Sequence, residues 1–264
     1  QLNVGTLNVG TTQFTGDSST INTAPATNLT GFLSGTPSTN HSIMWNGSAW
    51  VPTAMEGRLL GINVYTSQNG TWNSNSTSGG SGTWTKPAGC NHVLVYVTGG
   101  GGGARINDNS YRGAGGGGGA TSIRYIDVSG VASVTYAYGG GGAYVRNGGR
   151  AGTGGTSSFG SYCTATGGQG GQSDNPHQGG PGGNASGGDI NIPGGGGEMA
   201  HDANREGAGG SSYWHKAGSS HHYYNNQEEI THGQWGSGGA YGYYSQNDFA
   251  YNNSNGGAGC VIVW

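Results

Sequence analysis

Runs of bare glycine constrain this chain more than anything else in it. Residues 99–103, 115–119, 139–142 and 194–197 are unbroken glycine. Between them lie triplet stretches, Gly167-Gly-Gln-Gly-Gly-Gln172 and Gly179-Gly-Pro-Gly-Gly-Asn184. Of the 61 glycines, 49 lie at or beyond residue 89, several times the roughly 7% of ordinary usage. Glycine loses the most conformational entropy on ordering, so an ordered form needs a dense hydrogen-bond lattice in compensation. An extended helix of polyproline-II geometry, with three residues per turn and a rise of roughly 3.1 Å, points every N–H and C=O outward. Such helices bond sideways to one another when no Cβ holds them apart, and oligoglycine meets that demand. A slack linker is the competing reading. Against it stand the apolar closing strand, Cys260-Val-Ile-Val-Trp264, and the strand-like, aromatic-bearing segments between the runs. Collagen is excluded, because strict Gly-X-Y never persists beyond a few triplets.

The expected fold class is mostly β and irregular, with almost no α-helix. Only 31% of residues are hydrophobic and 8% charged, which leaves no material for a large aliphatic core. A formal net charge of -3 supplies no attraction to nucleic acid or anionic membrane. Cys90, Cys163 and Cys260 form an odd, widely spaced set. That argues against a disulfide framework and for assembly in a reducing cytoplasm, with Cys90 and Cys260 packed as small apolar residues.

In chain order, residues 1–42 open with the echo Leu2-Asn-Val-Gly-Thr6 and Leu7-Asn-Val-Gly-Thr11, followed by a Thr/Asn/Ser-rich run with sparse apolar positions. A monomer of that composition buries too little to fold. Three intertwined copies forming a shaft and a disordered tail are the two readings it allows. Residues 43–57 hold Trp45-Asn-Gly-Ser-Ala-Trp50, a hairpin signal flanked by tryptophans, read as a collar module. Residues 58–89 supply a strand, a polar Gly/Ser-rich loop and the run into a head spanning 90–264. Within the head His92–Thr98 is the strongest strand signal. Segments 122–129 and 131–138, on either side of Ser129-Gly130, predict a hairpin. Segments 156–159 and 162–165 predict a weaker pair, and 261–263 is expected to return beside the first strand.

The order of these motifs resembles the glycine-rich C-terminal domain of bacteriophage tail fibres. The residues that carry the resemblance are Gly82-Thr-Trp-Thr-Lys-Pro-Ala-Gly89, the Val-rich strand running into 99–103, and Gly155-Thr-Ser-Ser-Phe-Gly160 followed by Ala165-Thr-Gly-Gly-Gln-Gly-Gly171. The closing Gly256-Gly-Ala-Gly-Cys-Val-Ile-Val-Trp264 and the Trp45 to Pro52 module are similar too. The resemblance implies an intertwined trimeric β shaft followed by a glycine-rich head of polyglycine-II-type helices packed with short antiparallel strands. It also implies a receptor-binding protein at the distal end of a virion's tail fibre, made in the host cytoplasm. Its partners would be a bacterial surface receptor (a glycan or an outer-membrane protein), its own copies as a homotrimer, and other tail-fibre or baseplate proteins. No nucleic acid, cofactor or metal is expected. In style the head is similar to the adhesins of T-even-like phages, but those cap a separate fibre whereas this chain carries its own shaft.

Residues 199–253 depart from the scaffold, with ten aromatics and five of the eight histidines. Tyr and Trp offer stiff contact area with a polar tip, suited to sugar rings. Two roles are open for them, recognition of a receptor or covering the glycine bundle. Alternation around Gly242 favours packing for Tyr241, Tyr243 and Tyr244. Recognition is the expectation for Trp214, His215, His221, His222, Tyr223, Tyr224 and Trp235. Polar insertions between glycine runs add Tyr111, Tyr144, His177, His201 and Asp202, since irregular loops on a rigid frame commonly carry binding. A purely structural glycine-rich protein is one rival reading, and a polysaccharide-cleaving enzyme is the other, with His201, Asp202, Glu198, Glu206, Glu228, Glu229 and His232 as acid–base material. No spacing calls for it, nor for a metal at His215, His221, His222 and His232.

Overall fold

The computed structural model describes residues 6–9, 12–15, 41–54, 59–68, 77–107, 112–146, 148–172, 178–199, 207–216, 233–240 and 255–264. Among these residues there are strands and no α-helix. The chain divides into two compact units, 1–59 and 60–264.

In the first unit β1 (Thr6–Val9) pairs antiparallel with β2 (Thr12–Thr15), and β3 (His41–Trp45) with β4 (Trp50–Ala54). The Asn-Gly signal does mark a hairpin, but with a four-residue connection. Asn46 Oδ1 accepts the amides of Ser48 and Ala49 at 2.9 and 2.8 Å, and Gly47 takes φ 99°. Trp45 and Trp50 face each other across the strands with ring centroids 5.6 Å apart.

The second unit begins with a sandwich. One sheet has the order β16-β10-β7-β17-β5: Ile190–Ile192, Thr121–Asp127, His92–Thr98, Cys260–Val263 and Asn63–Tyr65. The other has the order β15-β14-β13-β11-β6: Ala185–Ser186, Cys163–Ala165, Ser157–Phe159, Ser133–Tyr138 and Gly80–Thr85. Alternation of side chains along a strand sends Val93, Val95, Val97, Ile126, Val261 and Val263 inward from the first sheet. They meet Trp84, Val134, Phe159, Cys163 and Ala165 from the second in one core. Tyr65 stacks on Tyr136 at 3.7 Å. The room for that ring, and for Tyr138, comes from Gly82 and Gly80, where a Cβ would lie 2.5 and 2.3 Å from the two phenolic oxygens.

Two features match the sequence reading closely. The final strand returns beside β7, antiparallel, with Val261 opposite Val97. Segments β13 and β14 form the expected weaker hairpin. The segments around Ser129-Gly130 do not. β10 pairs with β7 and β16, whereas β11 pairs with β6 and β13, so the connection arches from one sheet to the other. Ile126, Val128 and Val134 all point into the shared core, and burying them on both sides of the turn outweighs direct pairing. Residues 58–89, read as strand and linker, contribute β5 and β6 to the two sheets.

Above the sandwich the strands continue into glycine. Segments 99–103, 139–143, 166–171 and 193–198 leave β7, β11, β14 and β16, while 115–120, 151–155, 179–184 and 255–259 enter β10, β13, β15 and β17. Segments 208–212 and 236–240 complete the set. Their amides and carbonyls bond between segments with a period of three. Gly99 and Gly102 donate to segment 115–120, Gly100 and Gly103 to 151–155, and Gly101 to 255–259. Segments 139–143, 166–171 and 236–240 donate back to it. Segment 99–103 is thus bonded to six others. So is 115–120, which donates to 166–171, 193–198 and 236–240 and accepts from 99–103, 179–184 and 208–212.

The surrounded segments are uninterrupted glycine over 99–103 and 115–119, because a Cβ at each of these positions would point into another backbone. Segments 166–171 and 179–184 keep one free direction, and there the triplets place Gln169, Pro181 and Asn184, which are half-buried or exposed. Segment 193–198 follows the same phase with Pro193 and Gly196, and a Cβ on Gly196 would meet nothing closer than 3.9 Å.

All three cysteines are free and buried. Burial pushes the Cys163 thiol up to about 11 and that of Cys260 up to about 12. In the unfolded chain these thiols ionise near their ordinary value of about 8.5, whereas the fold holds them protonated. Raising the pH through that window therefore favours unfolding. Melting temperature should fall between about pH 9 and 11, and a Cys163→Ala/Cys260→Ala variant should show a shallower fall. Equal slopes in thermal melts would contradict this.

Candidate functional site

The glycine lattice has two ends, and the polar insertions of the sequence are rooted at both. At the end away from the sandwich, β8 (Arg105–Asn107) and β9 (Arg112–Ala114) form a hairpin joined in parallel by β12 (Val145–Arg146). Gln172 bridges to Gln178 and Ala114 to Met199. The Tyr144 amide donates to Asn255 Oδ1 at 2.8 Å. Arg105, buried, donates its Nε–H to the Gly148 carbonyl at 2.9 Å, and Arg150 bonds Gln169 Oε1.

The described residues that flank 108–111, 173–177, 200–206 and 241–254 all belong to this end. Tyr144 sits there, half-buried. Tyr111, His177, His201 and Asp202 lie outside the described residues, but the anchors on either side of them are shared. Rim segments alternate in direction, so each upward run must turn at the same level before the next descends.

The other cluster lies where strand gives way to glycine. Ser212 and His215 close a tight turn, Ser212 N–H to His215 carbonyl at 3.0 Å. A second turn carries Trp235 at φ 47° and Gly236 at φ 82°, closed by Ser237 N–H to the Gln234 carbonyl at 2.9 Å. A tryptophan in the left-handed region costs on the order of 1–3 kcal/mol and persists only where its surroundings over-determine it. Here Ser212 Oγ donates to the Trp235 carbonyl at 2.7 Å, and Ser237 Oγ accepts the Gln234 amide at 2.8 Å. His215 Nδ1 lies 2.7 Å from the Lys216 carbonyl, which can only accept, so the proton is on Nδ1. The same nitrogen is 3.4 Å from Ser237 Oγ.

Trp214 rests against the outer face of the first sheet. Its Nε1–H donates to Thr98 Oγ1 at 2.9 Å, and that hydroxyl shares a buried 2.8 Å hydrogen bond with Thr121. Tyr96 packs on it at 5.3 Å and Tyr213 edge-on at 4.8 Å. Trp214, His215 and Trp235 are therefore brought together at the junction, each tied into the scaffold. His221, His222, Tyr223 and Tyr224 lie outside the described residues, between the two turns. Among the described residues no three His, Cys, Asp or Glu side chains gather.

The extent of this arrangement, from β6 through every glycine segment to β17, coincides with the match to a family model. That model is of a glycine-rich domain, and it matches residues 74–263. The chain belongs to this glycine-rich domain family. No curated protein matches the chain.

Sequence reasoning missed Tyr96, Thr98, Tyr125 and Trp264 in this glycine-rich domain. The available signal was that His92–Thr98 is apolar at both alternations, with Val93, Val95 and Val97 on one face and Leu94 and Tyr96 on the other. A strand of that kind has something to cover on both faces.

Proposed function

We propose that this chain is the distal part of a bacteriophage tail fibre and adheres to a bacterial surface receptor. The observation that carries the reading is the common root of the polar connections around 108–111, 173–177, 200–206 and 241–254 at one end of a cross-bonded lattice. A lattice whose backbone groups are bonded in several directions holds those roots at fixed separations, and loops so held lose less entropy on binding. The three-residue hydrogen-bond period of residues 99–103 and 115–120 supports reading the glycine segments as polyglycine-II-type helices. The N-terminal unit supports a homotrimeric shaft, because β3 and β4 leave Ile43, Met44, Trp45 and Trp50 exposed, and an isolated two-stranded hairpin is marginal in water. Adhesion then works by weak contacts multiplied over three copies.

The test replaces 200–206 and 241–254 with short Gly/Ser connections. Purified variant and parent are compared on a panel of bacterial strains, intact or stripped of surface glycan or protein. Adsorption should fall at least about 100-fold, as expected when a multivalent contact is lost, while the melting temperature holds. Undiminished adsorption, or a parent that binds no strain, would sink the proposal.

A further inference from the structure

The outer face of the first sheet is apolar from edge to edge. Strand register sets Ile190, Ile123, Tyr96, Ile262 and Val64 in one row across five strands. A second row runs Tyr125, Leu94 and Trp264, with the Leu94 and Trp264 backbones exchanging both hydrogen bonds at 3.2 and 3.0 Å. Ile62, next to Asn63, extends it on the edge strand. Tyr125 is 61% exposed, Ile190 55%, Val64 and Ile62 48% each and Trp264 44%, whereas Ile123 and Ile262 in the middle of the first row are already buried. The ionisable groups on this face, His92 and Asp127, are opposite each other at one margin.

With side chains of roughly 150–250 Å² for the aromatics and somewhat less for the aliphatics, the exposed apolar surface is on the order of 600 Å². That is at the upper limit of what monomers leave open and close to the roughly 800 Å² each partner brings to a standard interface. Trp214 and Tyr213 cover the Thr98 end of this face and pack on Tyr96 at the centre of the first row, which leaves the second row and both edges open.

We propose that this face packs against a second copy of the same chain, so that the heads, and not only the shafts, associate. The inference rests on the trimeric reading above. Two observations favour a copy over a foreign partner. The face is neutral apart from one matched pair, so identical faces meet without repulsion. The chain also enters the head along it: Leu60 and Ile62, both exposed, lead into edge strand β5. Copies joined through their N-terminal residues stay at a high effective concentration for one another.

The test uses the full chain with a single introduced cysteine, since the native thiols are buried. Tyr125→Cys reports on this face. Thr135→Cys, exposed on the outer side of the opposite sheet, is the reference. Oligomeric mass is measured by sedimentation on the same samples. In a trimer, alkylation of Tyr125→Cys should be at least tenfold slower than that of Thr135→Cys. Adding Ile190→Lys and Val64→Lys should abolish the protection without altering the circular dichroism of the fold. Equal rates in a trimer overturn the interface and leave the trimeric shaft standing. A monomer without protection overturns both. Protection in a monomer assigns the cover to this chain itself and overturns the interface.

Discussion

Gly101→Ala should leave the glycine-rich domain unable to fold, or lower its melting temperature by more than about 10 °C. Its Cβ would sit 1.9 Å from the Ser237 carbonyl oxygen and 2.4 Å from the carbon behind it. Neither side has room to yield. The Gly101 amide donates to Gly257 and its carbonyl accepts from Gly142, both at 2.8 Å, so displacement breaks bonds to two neighbours at once. Overpacking costs roughly 1–3 kcal/mol or more, and each buried group left unpaired adds about 1–3. The total approaches the whole 5–15 kcal/mol of an ordinary domain. Gly196→Ala, also within an unbroken glycine run, is the matched control and should melt within about 2 °C of the parent, since its free direction faces open space. Thermal melts of the pair decide the matter. A Gly101→Ala protein that melts with the parent would mean that the glycine segments do not hold the domain together.

Trp214→Ala should be the most damaging change among the aromatic candidates, by about 2–4 kcal/mol, less than a fully buried tryptophan because the ring is half-buried. The loss has two parts. The indole covers Tyr96 and the end of the sheet, and its N–H serves the Thr98–Thr121 hydroxyl pair at the last rung before glycine begins. Trp214→Phe separates them, keeping most of the ring and losing the bond, for about 1 kcal/mol. Chemical denaturation of the two variants beside the parent measures both parts. If neither differs from the parent, Trp214 contributes nothing to the fold. The same comparison bears on recognition. A loss of adsorption by Trp214→Ala counts toward the receptor contact only where Trp214→Phe retains stability.

Much of the scaffold was legible because its signals are local. Val93, Val95 and Val97 alternate, Cys260–Val263 closes on apolar residues, and Gly155 to Phe159 followed by Cys163 to Ala165 marks a hairpin. The arch at Ser129-Gly130 was not legible. A Ser-Gly turn between two strands looks the same whether the strands pair with each other or with different sheets, and only the core that Ile126, Val128 and Val134 share separates the cases. The candidate site divides the same way. Composition singled out Trp214 and Trp235, but their ties to Thr98 and Ser212 span 116 and 23 positions of chain.

By itself the sequence determined that oligoglycine, if ordered, must form extended segments bonded sideways to one another, since without side chains only the backbone remains to bond. It also determined the strands that frame them. Which segments lie at the centre and which at the rim was decided by the tertiary structure alone. Residues 99–103 and 139–142 are equally bare, yet only the former is bonded to six others. The number of neighbours a rod acquires depends on where every other rod comes to lie, and no run of identical residues encodes that.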